Sequence, residues 1–119
     1  SPQLKTIDQM RVINRKVEIP HDGPLCDLMW SDPEDIHSWK INTRGAGWLF
    51  GAQVVNEFNR TDGIELVARA HQLVQEGYQY WFDSKLVTIW SAPNYTYRMG
   101  NKASLMKVEE DGTRDFIIF

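Results

Sequence analysis

The pattern of apolar and polar positions changes character along the chain. Ile7, Met10 and Ile13 recur at helical spacing, and Thr6 stands three residues ahead of Gln9 as a capping box requires, which predicts a short first helix. Ile19-Pro20-His21-Asp22-Gly23-Pro24 breaks it, because proline fixes its own φ and moves the residue before it out of the helical region. Residues 25–30 are nearly all apolar with only Asp27 intervening, which reads as a strand covered on both faces and ended by Ser31-Asp32-Pro33. A glycine-bearing loop over residues 42–47 precedes Trp48-Leu49-Phe50. Val54, Val55 and Phe58 then share one helical face, and Asp62-Gly63 stops that helix.

The second half reads as strands. Residues 64–70 are rich in β-branched and apolar side chains and deliver His71 at their carboxyl end. Tyr78, Tyr80 and Phe82 alternate, residues 86–90 answer them, and Asp83-Ser84-Lys85 makes the turn of a hairpin. Ser91-Ala92-Pro93-Asn94 opens a loop that runs to Asn101. Residues 103–109 and 113–119 form a closing hairpin around Asp111-Gly112, a dipeptide that accepts the positive φ of a type I′ turn.

Composition narrows the classes. With 42% apolar positions in 119 residues, the chain has the make-up of one ordinary globular domain with a modest core. Thirteen basic against 16 acidic side chains leave a net charge of -3 and no basic stripe, so neither a nucleic acid nor an anionic membrane is an expected partner. No apolar run approaches the roughly 20 residues that a membrane span needs. The single cysteine, Cys26, makes neither an internal disulfide nor a Cys-rich zinc site, which fits a reducing, intracellular setting. The chain opens on Ser1-Pro2 without a Met and closes on an apolar strand with no polar tail, so an excised piece of a longer protein is expected.

A few residues could carry chemistry. His71 at a strand end is placed as a metal ligand would be, but it reads first as a hydrogen-bonded histidine, since one histidine with no Asp, Glu, Cys or second His near it in sequence is not a metal motif. Arg44 before Gly45-Ala46-Gly47 sets a guanidinium fork beside a bare backbone, which suits a phosphate or carboxylate and also a surface ion pair. No Walker-type pattern accompanies it. Tyr95 could present its hydroxyl to a site, and Trp30 with Asp32 could rim a groove, or each could serve packing and turns. His21 and His37 read as surface residues, and Cys26 in an apolar run reads as a small buried hydrophobe.

In order along the chain stand Val17-Glu18-Ile19-Pro20-His21-Asp22-Gly23-Pro24, Cys26-Asp27-Leu28-Met29-Trp30-Ser31-Asp32-Pro33, Arg44-Gly45-Ala46-Gly47, Arg69-Ala70-His71-Gln72 and Ser91-Ala92-Pro93-Asn94-Tyr95. These five blocks resemble the carboxyl half of a metal-dependent serine/threonine phosphoprotein phosphatase catalytic domain. Within the family the chain looks like the type 2A-like branch. Residues 6–16 and 115–119 are most similar to the protein phosphatase 4 type, while Trp48-Leu49-Phe50-Gly51 and Trp90 are shared with the protein phosphatase 6 type.

The resemblance implies an α/β fold, the carboxyl-terminal part of a calcineurin-like metallophosphoesterase β-sandwich with flanking helices. Residues 1–119 would be one portion of one catalytic domain, without its amino-terminal metal-binding half. It implies His71 as a ligand in a centre of two divalent ions, manganese first and iron or zinc as alternatives, with a bridging hydroxide as nucleophile. Arg44 would hold the substrate phosphate, Tyr95 would be an active-site tyrosine, and Trp30 and Asp32 would line a substrate and inhibitor groove. Expected partners are phosphoprotein substrates and the regulatory and scaffold subunits of type 2A-like phosphatases, in cytoplasm and nucleus. The Gly-Asp-x-His-Gly, Gly-Asp-x-x-Asp-Arg-Gly and Gly-Asn-His-Glu motifs that carry the family's other ligands do not occur in these 119 residues, so the isolated chain is expected to be inactive. The alternative is a non-catalytic β-rich interaction module or degenerate relative.

Two departures from the family pattern stand out. Thr96 and Met99 replace two cysteines of the loop after Asn94, which removes the cysteine that captures electrophilic toxins. Asn42-Thr43 replaces the usual Ser-Pro before the arginine, so the loop lacks a proline φ lock.

Overall fold

The computed structural model describes residues 1–119, which divide into two compact units, Ser1–Val67 and Ala68–Phe119. In the first, the predicted capping box forms: Thr6 accepts the Gln9 N–H and the Gln9 side chain accepts the Thr6 N–H, opening the five-residue helix α1 (Ile7–Arg11). The Asp62 Oδ1 atom accepts the Ile7 N–H and ties the start of α1 to the end of a later helix.

Residues expected as a buried strand form a helix instead, α2 (Pro24–Trp30). An apolar run without clear periodicity does not distinguish the two, and the deciding signals were local. Gly23 takes φ 88° at the N-cap and Pro24 occupies the first helical position, where its missing N–H costs nothing. Only one face of α2 is covered: Cys26 is buried, while Leu28, Met29 and Trp30 are exposed.

At Ser31 the backbone becomes extended and enters β1 (Asp32–Pro33). β1 runs parallel to β3 (Trp48–Phe50), which is also paired antiparallel with β2 (Trp39–Ile41), giving the order β1-β3-β2. Trp39 packs edge-on against Trp48 and tilted against Phe50. α3 (Ala52–Asp62) buries Val55 with Val54 and Phe58 half-buried, and ends where Gly63 adopts the left-handed conformation, as the Asp-Gly signal predicts.

β4 (Val67–Arg69) spans the junction of the two units and is shorter than the expected strand over residues 64–70. The sheet order is β4-β6-β5, from β5 (Tyr78–Trp81) and β6 (Leu86–Ile89), with Leu86, Val87 and Thr88 fully buried at its centre. Their hairpin turns through Phe82, Asp83 and Ser84, all at positive φ.

A second hairpin joins β7 (Ser104–Val108) to β8 (Arg114–Ile118). Its turn differs from the type I′ expectation. The Gly112 N–H donates to the Glu109 carbonyl, the Glu109 N–H donates to the Thr113 carbonyl, and of the Asp-Gly pair only Gly112 has positive φ. That is a three-residue loop closed by a left-handed glycine. The Phe116 ring stacks on Tyr78 at 3.8 Å. No helix is long and apolar enough to cross a membrane.

Candidate functional site

In the first unit, chain topology brings Trp30, Asp32 and Arg44 together. Asp32 begins β1 at its pairing with Leu49, while Arg44 lies in the loop that joins β2 to β3, so the two strands set that loop beside the end of α2. Gly47 allows the close approach. It takes φ 74°, and a Cβ there would stand 2.8 Å from the Ser31 nitrogen and the Trp30 carbonyl carbon. The Trp48 N–H completes the junction by donating to Ser31 Oγ at 3.0 Å.

Asp32 is 2% exposed and accepts the Arg44 Nε–H at 2.7 Å. A buried carboxylate needs such partners, because desolvation would otherwise penalise its charge. Arg44 is held by Nε, and its two terminal amino groups make no bond within the structure, on a side chain that is 41% exposed. An arginine held by its neck with its fork free is arranged to grip a tetrahedral oxyanion. Trp30, 40% exposed, rises from the last turn of α2 beside this network. Asp32 was expected to line the groove with Trp30; at its burial it lies beneath the surface and acts on Arg44.

Sequence reasoning passed over the residue that links these groups. Asn42 is 4% exposed; its Nδ2 donates to Asp32 Oδ2 at 3.1 Å and to the Trp30 carbonyl at 3.3 Å, and its Oδ1 accepts the Arg44 N–H at 3.0 Å. The only signal in the sequence was an asparagine two residues before the arginine, the spacing of an Asx turn. A depression of about 290 Å³ opens beside this loop, lined in part by His21, Asp22, Cys26, Asn42 and Trp48. Burial, then the carboxylates of Asp27 and Asp22, push the Cys26 thiol up from its ordinary value. An unreactive, packed thiol follows, as the reading of Cys26 as a buried hydrophobe expects. A larger depression, about 370 Å³, lies along α3 by His37 and contains none of the candidate residues.

In the second unit, His71 follows β4 by two residues and holds φ 79°. A non-glycine residue in this conformation stores of order 1–3 kcal/mol and persists where surrounding structure imposes it. Here Arg69 supplies a brace, donating across His71 to Gln72 Oε1 at 2.8 Å and to Thr88 Oγ1 at 3.4 Å on the buried β6.

Tyr95 opens a turn of 3-10 helix (Tyr95–Tyr97) and is 44% exposed. Its ring stands perpendicular to Trp90 with centroids 4.8 Å apart. Its N–H donates to Asn101 Oδ1 at 2.7 Å, and Asn101 Nδ2 donates to the Ala92 and Lys102 carbonyls. Asn94 closes the other side of the loop by accepting the Gly100 N–H. This crossed pair of asparagines holds Asn94, Thr96 and Tyr97 at positive φ, so Tyr95 sits on a braced rather than a slack loop.

The residues present do not by themselves fit a metal centre, since no group of three or more His, Cys, Asp or Glu is placed to hold an ion. His71 offers one imidazole.

Comparison with known proteins now bears on these arrangements. The model of the calcineurin-like phosphoesterase family matches residues 1–75. The chain is 61% identical over 120 residues to serine/threonine-protein phosphatase ppe1 of Schizosaccharomyces pombe, covering all of this chain and 39% of that protein. A solved structure of a serine/threonine phosphatase from Saccharomyces cerevisiae, described as similar to human phosphatase PP5, superposes with a TM-score of 0.88 at 27% identity and covers all of this chain and 40% of that one. The chain thus spans about two fifths of the length of the relatives it matches.

Proposed function

The chain belongs to the calcineurin-like phosphoesterase family, and from that premise we propose that the full-length protein hydrolyses phosphoserine and phosphothreonine in proteins, with this portion supplying the phosphate-gripping side of the site. The observation that carries the reading is Arg44, anchored through Nε on buried Asp32 with both terminal amino groups free. As a phosphate ester is cleaved by water, negative charge gathers on the equatorial oxygens, and a preorganised guanidinium lowers the barrier by meeting it. Trp30 offers an apolar wall to the residue that carries the phosphate. Tyr95, braced by Asn101, offers a phenol as a donor to oxygen.

The family is metal-dependent, and His71 is proposed as one ligand whose companions belong to sequence outside these 119 residues. One imidazole does not make a metal site, so no catalytic step is derived through it. The proposed branch is type 2A-like, resembling the protein phosphatase 4 and 6 types, with regulatory and scaffold subunits as partners. High identity to a fission-yeast serine/threonine-protein phosphatase supports the protein-phosphatase reading.

The test is steady-state hydrolysis of a phosphoserine peptide by the full-length protein with added divalent metal. Arg44→Ala is expected to lower kcat/KM by about 100- to 1,000-fold, the cost of losing one preorganised donor. A variant as active as wild type overturns the assignment of Arg44, and a full-length protein with no hydrolysis returns the alternative of a non-catalytic interaction module.

A further inference from the structure

We propose that Asn42 is a positioning residue for Arg44, a side-chain clamp that replaces a proline lock and sets the arginine fork and the Trp30 wall in one fixed relation. The inference rests on the reading of Arg44 as the phosphate-binding residue and extends it to a residue that touches no substrate.

Residues 42–45 form a tight turn in which the Gly45 N–H donates to the Asn42 carbonyl at 3.3 Å. Proline is favoured at the second position of such a turn, because its φ matches. Thr43 holds that position here and supplies no lock. The constraint comes instead from Asn42, whose carboxamide is buried and has all three of its contacts directed at the candidate site. Oδ1 fixes the Arg44 backbone, one Nδ2 contact holds the carboxylate that anchors the Arg44 guanidinium, and the other holds the carbonyl of Trp30. Arg44 is therefore held at its backbone amide by Asn42 directly and at Nε by the Asp32 carboxylate that Asn42 also contacts, with the fork left free. Phosphate recognition by a bidentate fork depends on orientation, so a shift of about 1 Å costs up to about 100-fold in rate.

In the same network Asp32 Oδ2 accepts from both Asn42 and Arg44. Loss of the carboxamide would remove one donor from this oxygen and one from the Trp30 carbonyl, and would take the Oδ1 acceptor from the Arg44 amide. Ser with Pro, the pair that Asn42-Thr43 replaces, would restore the turn by the backbone route without restoring the bonds to Trp30 and Asp32.

The experiment uses the full-length protein and reads phosphoserine-peptide kinetics together with the competitive inhibition constant of inorganic phosphate. Asn42→Ala is expected to weaken phosphate inhibition and to lower kcat/KM by tenfold or more. Asn42→Ser alone should behave similarly, and Asn42→Ser with Thr43→Pro should recover much of the loss. In a double-mutant cycle, Asn42→Ala should cost little more once Arg44 is Ala, because a residue that acts through Arg44 has nothing left to position. A damaged Arg44→Ala enzyme beside an intact Asn42→Ala enzyme overturns this inference alone, as does full additivity of the two losses. An intact Arg44→Ala enzyme overturns the reading of Arg44, and this inference with it. Should Asn42→Ala fail to fold, Asn42→Ser decides: wild-type kinetics and wild-type phosphate inhibition in that variant overturn the proposal.

Discussion

At Gly47 the approach of two backbone segments leaves no room for a side chain. Its φ of 74° already disfavours any residue with a Cβ, and the built position of that atom falls 2.8 Å from the backbone of Trp30 and Ser31. Gly47→Ala is expected to lower stability by about 1–3 kcal/mol, read as a drop in the urea midpoint. It should also push the Arg44 loop away from α2. An unchanged midpoint would mean that the two segments separate freely and that the loop is not held as described. Burial tells a parallel story at Asp32. As sequence, the residue reads as a rim acid beside Trp30; as structure, it is the counter-ion of Arg44. What makes the difference is the parallel pairing of β1 with β3, a contact between positions 17 apart that local sequence does not encode.

The elements themselves were legible wherever the signal was local. The capping box of α1, the glycine stop of α3 and both hairpins follow from residues within four positions of one another. α2 was not legible as a helix, because its apolar run lacks a polar face and the decisive Gly-Pro start reads equally as a loop. The closing hairpin offers a pH test at this scale. The Asp111 carboxylate accepts the Thr113 N–H at 2.9 Å, and that bond, first among its interactions, holds its pKa below the ordinary value of 3.8. A depressed carboxylate stabilises the turn above the ordinary value and ceases to do so as pH falls through the folded value. An NMR titration should therefore show the Thr113 amide shifting at a pH below 3.8, and Asp111→Asn should abolish the shift. A Thr113 amide that ignores acid would show that the carboxylate does not hold the turn.

For the molecule as a whole, family membership was readable from five ordered blocks, whereas the means by which the candidate residues are held were not. Arg44, His71 and Tyr95 are each named by motif. Their supports, Asn42 with Asp32, Arg69 with Gln72, and Asn94 with Asn101, are side-chain bonds to backbone and neighbours that only the folded chain assembles. The supports lie one to 12 residues along the chain from the groups they brace, and Arg44, His71 and Tyr95 themselves stand outside the strands and α-helices. The most direct measurement is hydrolysis of a phosphoserine peptide by the full-length protein at saturating divalent metal, comparing wild type with His71→Ala at matched folded concentration. Loss of turnover to background in the variant, with a fall in bound metal, is the predicted result; wild-type turnover and metal content in His71→Ala would contradict it.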